Sequence, residues 1–129
     1  MSIQTRRILL IHPHDVIEEM MQLCLETIPD CEVITVNSGF EALEKASAEQ
    51  IGAILLDLDE TMPDLCWREI CQNLRQNPLT NSIPLILLTA TPQSQELLEF
   101  QQTKKIKAIS KTFDLLNLTT QVSRLLKWN

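Results

Sequence analysis

Short apolar runs alternate with longer amphipathic stretches along the whole chain. Ile8-Leu-Leu-Ile11 is a continuous apolar run of buried-strand length. From Asp15 to Ile28 the residues Ile17, Met20, Met21, Cys24 and Ile28 recur at helical spacing, which predicts an inward-facing stripe. Asp15, with Glu18 three residues later, resembles a capping box, and Pro29-Asp30 ends the helix. Glu32–Val36 is rich in β-branched residues and reads as a second strand. Ser38 with Glu41 opens a second helix that runs to about Gln50. Ile54–Asp57 is a third strand that ends in an acid, and Leu65–Gln76 is helical with Cys66, Ile70 and Leu74 on one face. Pro84–Thr89 is a fourth strand, and Pro92 can open the next helix, which carries Leu97 and Leu98. Ile106–Ser110 is a short fifth strand. Asp114 can cap a last helix, with Leu115, Leu118, Val122, Leu125 and Leu126 inward.

Five β-α units result. Strands 1, 3 and 4 are apolar on both faces, as parallel strands covered by helices must be. Right-handed crossovers then give an open, doubly wound α/β sheet. A length of 129 residues suits one domain, 1–129, with no linker, no output domain and no repeat beyond the β-α alternation. With 44% hydrophobic and 22% charged residues the chain can fill a core, which argues against disorder. Acidic residues outnumber basic ones 17 to 11, and the net charge of −6 argues against direct nucleic-acid binding. No apolar run approaches the roughly 20 residues of a membrane helix, and Ile8–Ile11 is too short for a secretion signal. Cys24, Cys31, Cys66 and Cys71 show neither a CxxC pair nor zinc-site spacing; they read as reduced core residues of a cytoplasmic protein. The two glycines, Gly39 and Gly52, cannot build a Gly-rich phosphate loop.

Candidate chemistry lies where such a sheet binds ligands, beyond the carboxyl ends of its strands. After strand 1 come His12, Pro13, His14 and Asp15; after strand 3, Asp57 (its last residue), Leu58, Asp59, Glu60 and Thr61. Strand 4 leads to Thr89, Ala90 and Thr91, and strand 5 to Ser110, Lys111 and Thr112. An acid, a hydroxyl and a lysine at three strand ends can converge on one phosphoryl group. The carboxylate would be the nucleophile, while lysine and threonine would bind phosphoryl oxygens. A divalent cation held by carboxylates would offset the remaining charge.

Taken in order, several segments carry a resemblance: Arg7-Ile-Leu-Leu-Ile11, Gly39-Phe-Glu-Ala-Leu43, Ala53-Ile-Leu-Leu-Asp57, Met62-Pro63, Ile83-Pro-Leu-Ile-Leu-Leu-Thr-Ala90 and Lys111-Thr-Phe-Asp114. Over nearly its whole length the chain resembles the receiver domain of two-component response regulators, particularly the stand-alone kind. The resemblance implies a flavodoxin-like five-stranded parallel sheet of order 2-1-3-4-5 flanked by five helices. It also implies phosphoryl transfer from a sensor histidine kinase to an aspartate. By position, Asp57 would be the phosphoacceptor, Thr89 the switch hydroxyl, Ala90 its neighbour at the phosphoryl group and Lys111 the phosphate-binding lysine. Measured back from Met62-Pro63, however, the acceptor would be Asp59.

The chain departs from the family pattern around this site. Two acidic residues that would hold Mg²⁺ are replaced by His12-Pro13, leaving a degenerate metal site of His12, Pro13 and Asp57. Proline brings no side-chain oxygen and imidazole prefers softer metals, so Mg²⁺ binding should be weak. The family's Asp-Gly after Met-Pro is replaced by Cys66-Trp67. Ile109 stands where an aromatic switch residue is expected, and Thr112 replaces a proline. These departures point to a non-enzymatic signalling module that acts through protein–protein contacts, with phosphotransfer to Asp57 weakened or lost. The alternative is an active phosphoacceptor using Asp57 (or Asp59) and Mg²⁺.

Other readings attach to single features. His12 and His14 could join Asp57 in holding a transition metal, or make binding pH-sensitive. Asp57-Leu-Asp-Glu-Thr61 matches the D-x-D-x-T motif of haloacid-dehalogenase-type phosphatases, with Asp57 as nucleophile and Asp59 as general acid. Lys104, Lys105 and Lys107 form a small basic run at a helix end. The resemblance places partner docking on the face of helix 4, strand 5 and helix 5. Leu97, Phe100, Lys107 and Trp128 are the candidates there for a kinase, another signalling protein or a second copy of the chain.

Overall fold

The computed structural model describes residues 6–59, 62–101, 106–111 and 114–128. The described elements follow the expected alternation: β1 (Arg6–Ile11), α1 (Val16–Leu25), β2 (Cys31–Val36), α2 (Gly39–Ala48), β3 (Ala53–Asp57), α3 (Trp67–Gln76), β4 (Leu85–Thr89), α4 (Gln95–Gln101), β5 (Ile106–Ser110) and α5 (Leu115–Leu126). The strands form one parallel sheet of order β2-β1-β3-β4-β5. This is the flavodoxin-like arrangement expected.

Alternation along the strands divides the core between the two faces of the sheet. Leu9, Ile11, Ile54, Leu56, Leu85 and Leu87 meet Ala42 and Ala46 of α2, Ile70 and Leu74 of α3, and Leu97 of α4. Ile8, Leu10, Leu55, Ile86 and Leu88 meet Met21 and Leu25 of α1, and Leu118 and Val122 of α5. Each such leucine or isoleucine side chain contributes roughly 1.5–3 kcal/mol by leaving water. Every residue of β3 and β4 is buried, so the two central strands are fixed from both sides.

The caps expected from sequence form. Asp15 accepts from the Glu18 N–H at 2.9 Å, Ser38 from the Glu41 N–H at 3.1 Å and Asp114 from the Asn117 N–H at 3.2 Å. Glu18, however, does not complete a capping box; its carboxylate turns to His14.

Several helix faces are corrected. On α1, Ile17 and Met20 are each 46% exposed, and the buried positions are Glu18, Met21 and Leu25. Helix α1 covers the sheet along a narrow line, and that line is displaced from the stripe the apolar residues suggest. Leu125 is 40% exposed on α5. Helix α3 starts at Trp67 because Cys66 is its N-cap, and that cysteine is exposed rather than in the core. Cys71 is buried, Cys24 and Cys31 are partly buried, and all four cysteines are free thiols. Pro92 precedes α4 by a turn instead of opening it.

Candidate functional site

Strand register brings the chemistry together. Asp57 pairs with Leu88 and Thr89 with Ser110, so β3, β4 and β5 end side by side. The ladder runs one step further at each tip: the His12 N–H donates to the Val36 carbonyl, Leu58 to Leu88 and Lys111 to Thr89. These bonds aim His12, Asp57 and Lys111 into one place.

Asp57 is 1% exposed and has two side-chain partners, Lys111 and His12. The Lys111 ammonium lies 2.7 Å from Asp57 Oδ2, and His12 Nε2 lies 3.3 Å from the same oxygen. Oδ1 accepts the Asp59 N–H at 2.9 Å. Burial alone pushes the Asp57 carboxyl up, but His12, Lys111 and the Asp59 amide outweigh it and hold its pKa below the ordinary value. Burial opposes the charged form of His12 as well. The Asp57 carboxylate, the Pro13 carbonyl (2.8 Å from Nδ1) and Asp15 outweigh it, and the His12 pKa is raised. The result is a buried cluster of the His12 ring, the Asp57 carboxylate and the Lys111 ammonium.

Asp59, the other acceptor candidate, is placed differently. It is exposed, and its carboxylate reaches across to β4, where Oδ1 accepts from the Thr89 hydroxyl at 3.0 Å and Oδ2 from the Ala90 N–H at 2.9 Å. The sequence identified Thr89, Ala90 and Asp59 as site residues but did not show that they bond to one another. The sequence offers His12 as a metal ligand or a pH-sensitive group, but not as the partner of the Asp57 carboxylate that the structure shows. The position of His12, directly after a fully apolar strand, was the available signal, because such a residue is buried beside the neighbouring strand's last side chain.

A second missed residue is Asp64. Its carboxylate accepts from the N–H groups of Gly39 at 2.7 Å and Phe40 at 2.9 Å, tying the β3–α3 loop to the start of α2. Those amide bonds outweigh its slight desolvation and hold its pKa low.

The donor set does not suit a hard divalent cation. At the end of β1, Pro13 brings no side-chain oxygen, and His12 offers an imidazole rather than an oxygen ligand beside the Asp57 carboxylate. Asp15, the nearest further acid, caps α1 and lies 3.6 Å from His12 Nδ1. The transition-metal reading also lacks its geometry: His14 turns to Glu18 at 2.5 Å while His12 turns to Asp57. Among the described residues, no three His, Cys, Asp or Glu side chains are grouped to hold a metal ion.

The partner-face candidates are not brought together. Leu97 is 4% exposed and belongs to the core. Trp128 packs at the start of the strands: its ring lies over Gly52 and beneath the Arg6 guanidinium, which also donates to the Trp128 carbonyl. A residue just after α5 folds back there because the left-handed Lys127 turns the chain. Lys107 is exposed on β5. The Phe100 side chain, Glu60, Thr61, Lys104, Lys105 and Thr112 lie outside the described residues.

A parallel 2-1-3-4-5 sheet with an acid, a threonine and a lysine at the tips of β3, β4 and β5 is the arrangement of a receiver domain. The family model for the response regulator receiver domain matches residues 8–123, and the chain belongs to this family. Among curated relatives, it is 36% identical over 85 residues to the alkaline phosphatase synthesis transcriptional regulatory protein PhoP of Bacillus subtilis, covering 66% of this chain and 33% of PhoP. It is 28% identical over 121 residues to the DNA-binding dual master transcriptional regulator RpaA of Synechocystis, covering 94% of this chain and 49% of RpaA. The chain thus spans half or less of these relatives' length.

Among solved structures, the chemotaxis response regulator CheY4 of Vibrio cholerae superposes with a TM-score of 0.80 at 22% identity, covering 95% of this chain and 99% of CheY4. The receiver domain of the sensor histidine kinase PA1611 of Pseudomonas aeruginosa, with magnesium in its active-site cleft, gives a TM-score of 0.78 at 22% identity, covering 96% and 99%. At that identity both show the shared fold alone. No helix among the described residues is long and apolar enough to cross a membrane.

Proposed function

We propose that this receiver domain signals through protein–protein contacts with phosphotransfer to Asp57 weakened. The observation that carries this reading is the pairing of the buried Asp57 Oδ2 with both Lys111 and His12. In phosphotransfer an Asp57 oxygen attacks the phosphorus of a phosphohistidine, the P–N bond breaks and the donor imidazole leaves. Here Oδ1 is engaged by an amide, and Oδ2 faces both Lys111 and His12. Such a carboxylate is a poor nucleophile, because the charges that lower its pKa also lower its basicity. Mg²⁺ binds weakly at most, for want of oxygen ligands after β1.

The module itself is not an enzyme. It works in the cytoplasm, and its partner is a sensor histidine kinase or another signalling protein. Docking uses the face of α4, β5 and α5, where Leu98, Lys107 and Leu116 are exposed, and a second copy of the chain is one candidate for that face.

The test is incubation with Mg²⁺ and a small-molecule phosphodonor, followed by intact-protein mass measurement. Little or no added phosphoryl group at high donor concentration is expected. Stoichiometric addition that vanishes in Asp57→Asn would establish an active acceptor instead. Addition that survives Asp57→Asn and vanishes in Asp59→Asn would move the acceptor. Turnover of a phosphate ester that is lost in Asp59→Asn would support the phosphatase chemistry of the Asp57-x-Asp59 pair.

A further inference from the structure

The Thr89 hydroxyl and the Ala90 N–H are the two donors at the tip of β4. Both point at one carboxylate, that of Asp59, one to each oxygen. The Thr91 N–H donates in turn to Thr89 Oγ1 at 3.1 Å, so the hydroxyl oxygen is held while its proton is directed at Asp59. The backbone of Asp59 is anchored as well, through its N–H on Asp57 Oδ1 at 2.9 Å. A planar carboxylate is thereby fixed with one oxygen on a hydroxyl and one on an amide. An oxyanion bound at the end of β4 would compete with Asp59 for those same two donors.

We propose that Asp59 is a built-in occupant of the oxyanion site formed by Thr89 and Ala90. Its carboxylate keeps the Thr89 hydroxyl engaged without phosphorylation and excludes phosphate-like anions from the pocket. The proposal rests on reading this pocket as a phosphoacceptor pocket, and it goes beyond that reading by assigning the site an internal ligand. A charge-assisted pair of hydrogen bonds within the chain has no translational entropy to lose, so a free anion competes at a disadvantage. Asp59 is exposed, so its replacement leaves the core intact.

The experiment titrates inorganic phosphate, with no phosphodonor and no Mg²⁺, at constant ionic strength. Backbone amide spectra are followed for the wild type, Asp59→Ala, Asp59→Asn and Asp15→Asn. Asp15→Asn removes one negative charge near the pocket and keeps a side chain able to cap α1. In Asp59→Ala the Ala90 and Thr91 amide signals should move saturably, with an apparent affinity at least tenfold tighter than in the wild type. Asp59→Asn should respond in the same direction, since its amide nitrogen cannot accept from Ala90. Asp15→Asn should behave as the wild type does.

Equal responses in the wild type and Asp59→Ala, or no response in Asp59→Ala, overturn the proposal. An equal gain in Asp15→Asn also overturns it, since net charge rather than occupancy would then set the affinity. Rapid phosphorylation of the wild type would overturn the weakened-transfer reading alone; the phosphate titration would still decide the role of Asp59.

Discussion

Lys111 and His12 meet at a single oxygen, Asp57 Oδ2, at 2.7 and 3.3 Å. They arrive from strands on opposite sides of β3, so the sheet order itself builds the cluster. His12 is fully buried, and its charged form is favoured only as far as a partner offsets its desolvation. Asp57→Asn removes that partner while keeping the side chain's shape. The His12 pKa should then fall below its wild-type value, because burial, which lowers it, loses most of its opposition. Titration of the His12 ring protons by NMR in both proteins checks this. An unchanged His12 pKa would mean that the pair is not coupled.

The same pair makes stability depend on pH in a stated direction. The His12 pKa is raised in the folded chain, so its contribution is fully present below the unfolded value of about 6.5. That contribution is lost as pH rises through the raised folded value. The Asp57 pKa is lowered, so its contribution is present above the unfolded value of about 3.9 and is lost as pH falls through the lowered one. Urea unfolding of the wild type and His12→Gln across pH about 5 to 9 should therefore show a stability difference that is largest at the acid end and shrinks upward. A difference that stays flat with pH would mean that folding does not shift the His12 pKa, and one that grows as pH rises would mean that His12 is held neutral in the fold.

Much of this architecture could be read from the chain because two kinds of signal are local. The doubly apolar strands Ile8–Ile11, Ile54–Leu56 and Leu85–Leu88 carry their own burial, and Asp15, Ser38 and Asp114 act on amides three residues away. Helix faces were less legible. Ile17 and Met20 are apolar yet half exposed, since the inward line is set by how α1 lies on the sheet beside α5. Leu97 and Trp128 were misassigned for a similar reason: burial and fold-back depend on neighbours distant in sequence. At the site, the sequence supplied the membership of the cluster. Which carboxylate faces which donor, Asp57 to Lys111 and Asp59 to Thr89, depends on the conformation of Leu58 and Asp59, which spacing alone does not fix.

The junction between α2 and the β3–α3 loop makes a separate prediction about stability. A Cβ on Gly39 would fall 2.7 Å from Leu65 Cβ, inside any real contact distance, so glycine is needed there for close approach. Gly39→Ala should cost about 1–3 kcal/mol through overpacking. Asp64→Ala, which frees the Gly39 and Phe40 amides, should cost about 1 kcal/mol, as loss of a helix cap does. Both substitutions disturb one junction, so their costs should not add in the double variant. Denaturant unfolding of the three variants checks this, and strict additivity would mean that loop and helix are held independently.

At the end of β1 the chain lacks the acids with which the family's metal site would hold a cation. The His12 ring lies against the Asp57 carboxylate, and Pro13 contributes no side-chain oxygen. Replacing both residues by acids, His12→Asp with Pro13→Asp, adds negative charge and supplies two carboxylate ligands. Without metal, the double variant should be less stable than the wild type, because new carboxylates then stand beside the buried Asp57 with only Lys111 to offset them. With Mg²⁺, the same carboxylates become ligands. Affinity should rise at least about tenfold over the wild type, equivalent to about 1.4 kcal/mol. Stability should then climb with Mg²⁺ concentration as a ligand bound only by the folded state requires. Calorimetric titration and thermal unfolding with and without Mg²⁺ measure the two effects. If the wild type already binds Mg²⁺ as tightly as the double variant, His12 and Pro13 are not what weakens the site, and the cation must be held by groups other than those at the end of β1.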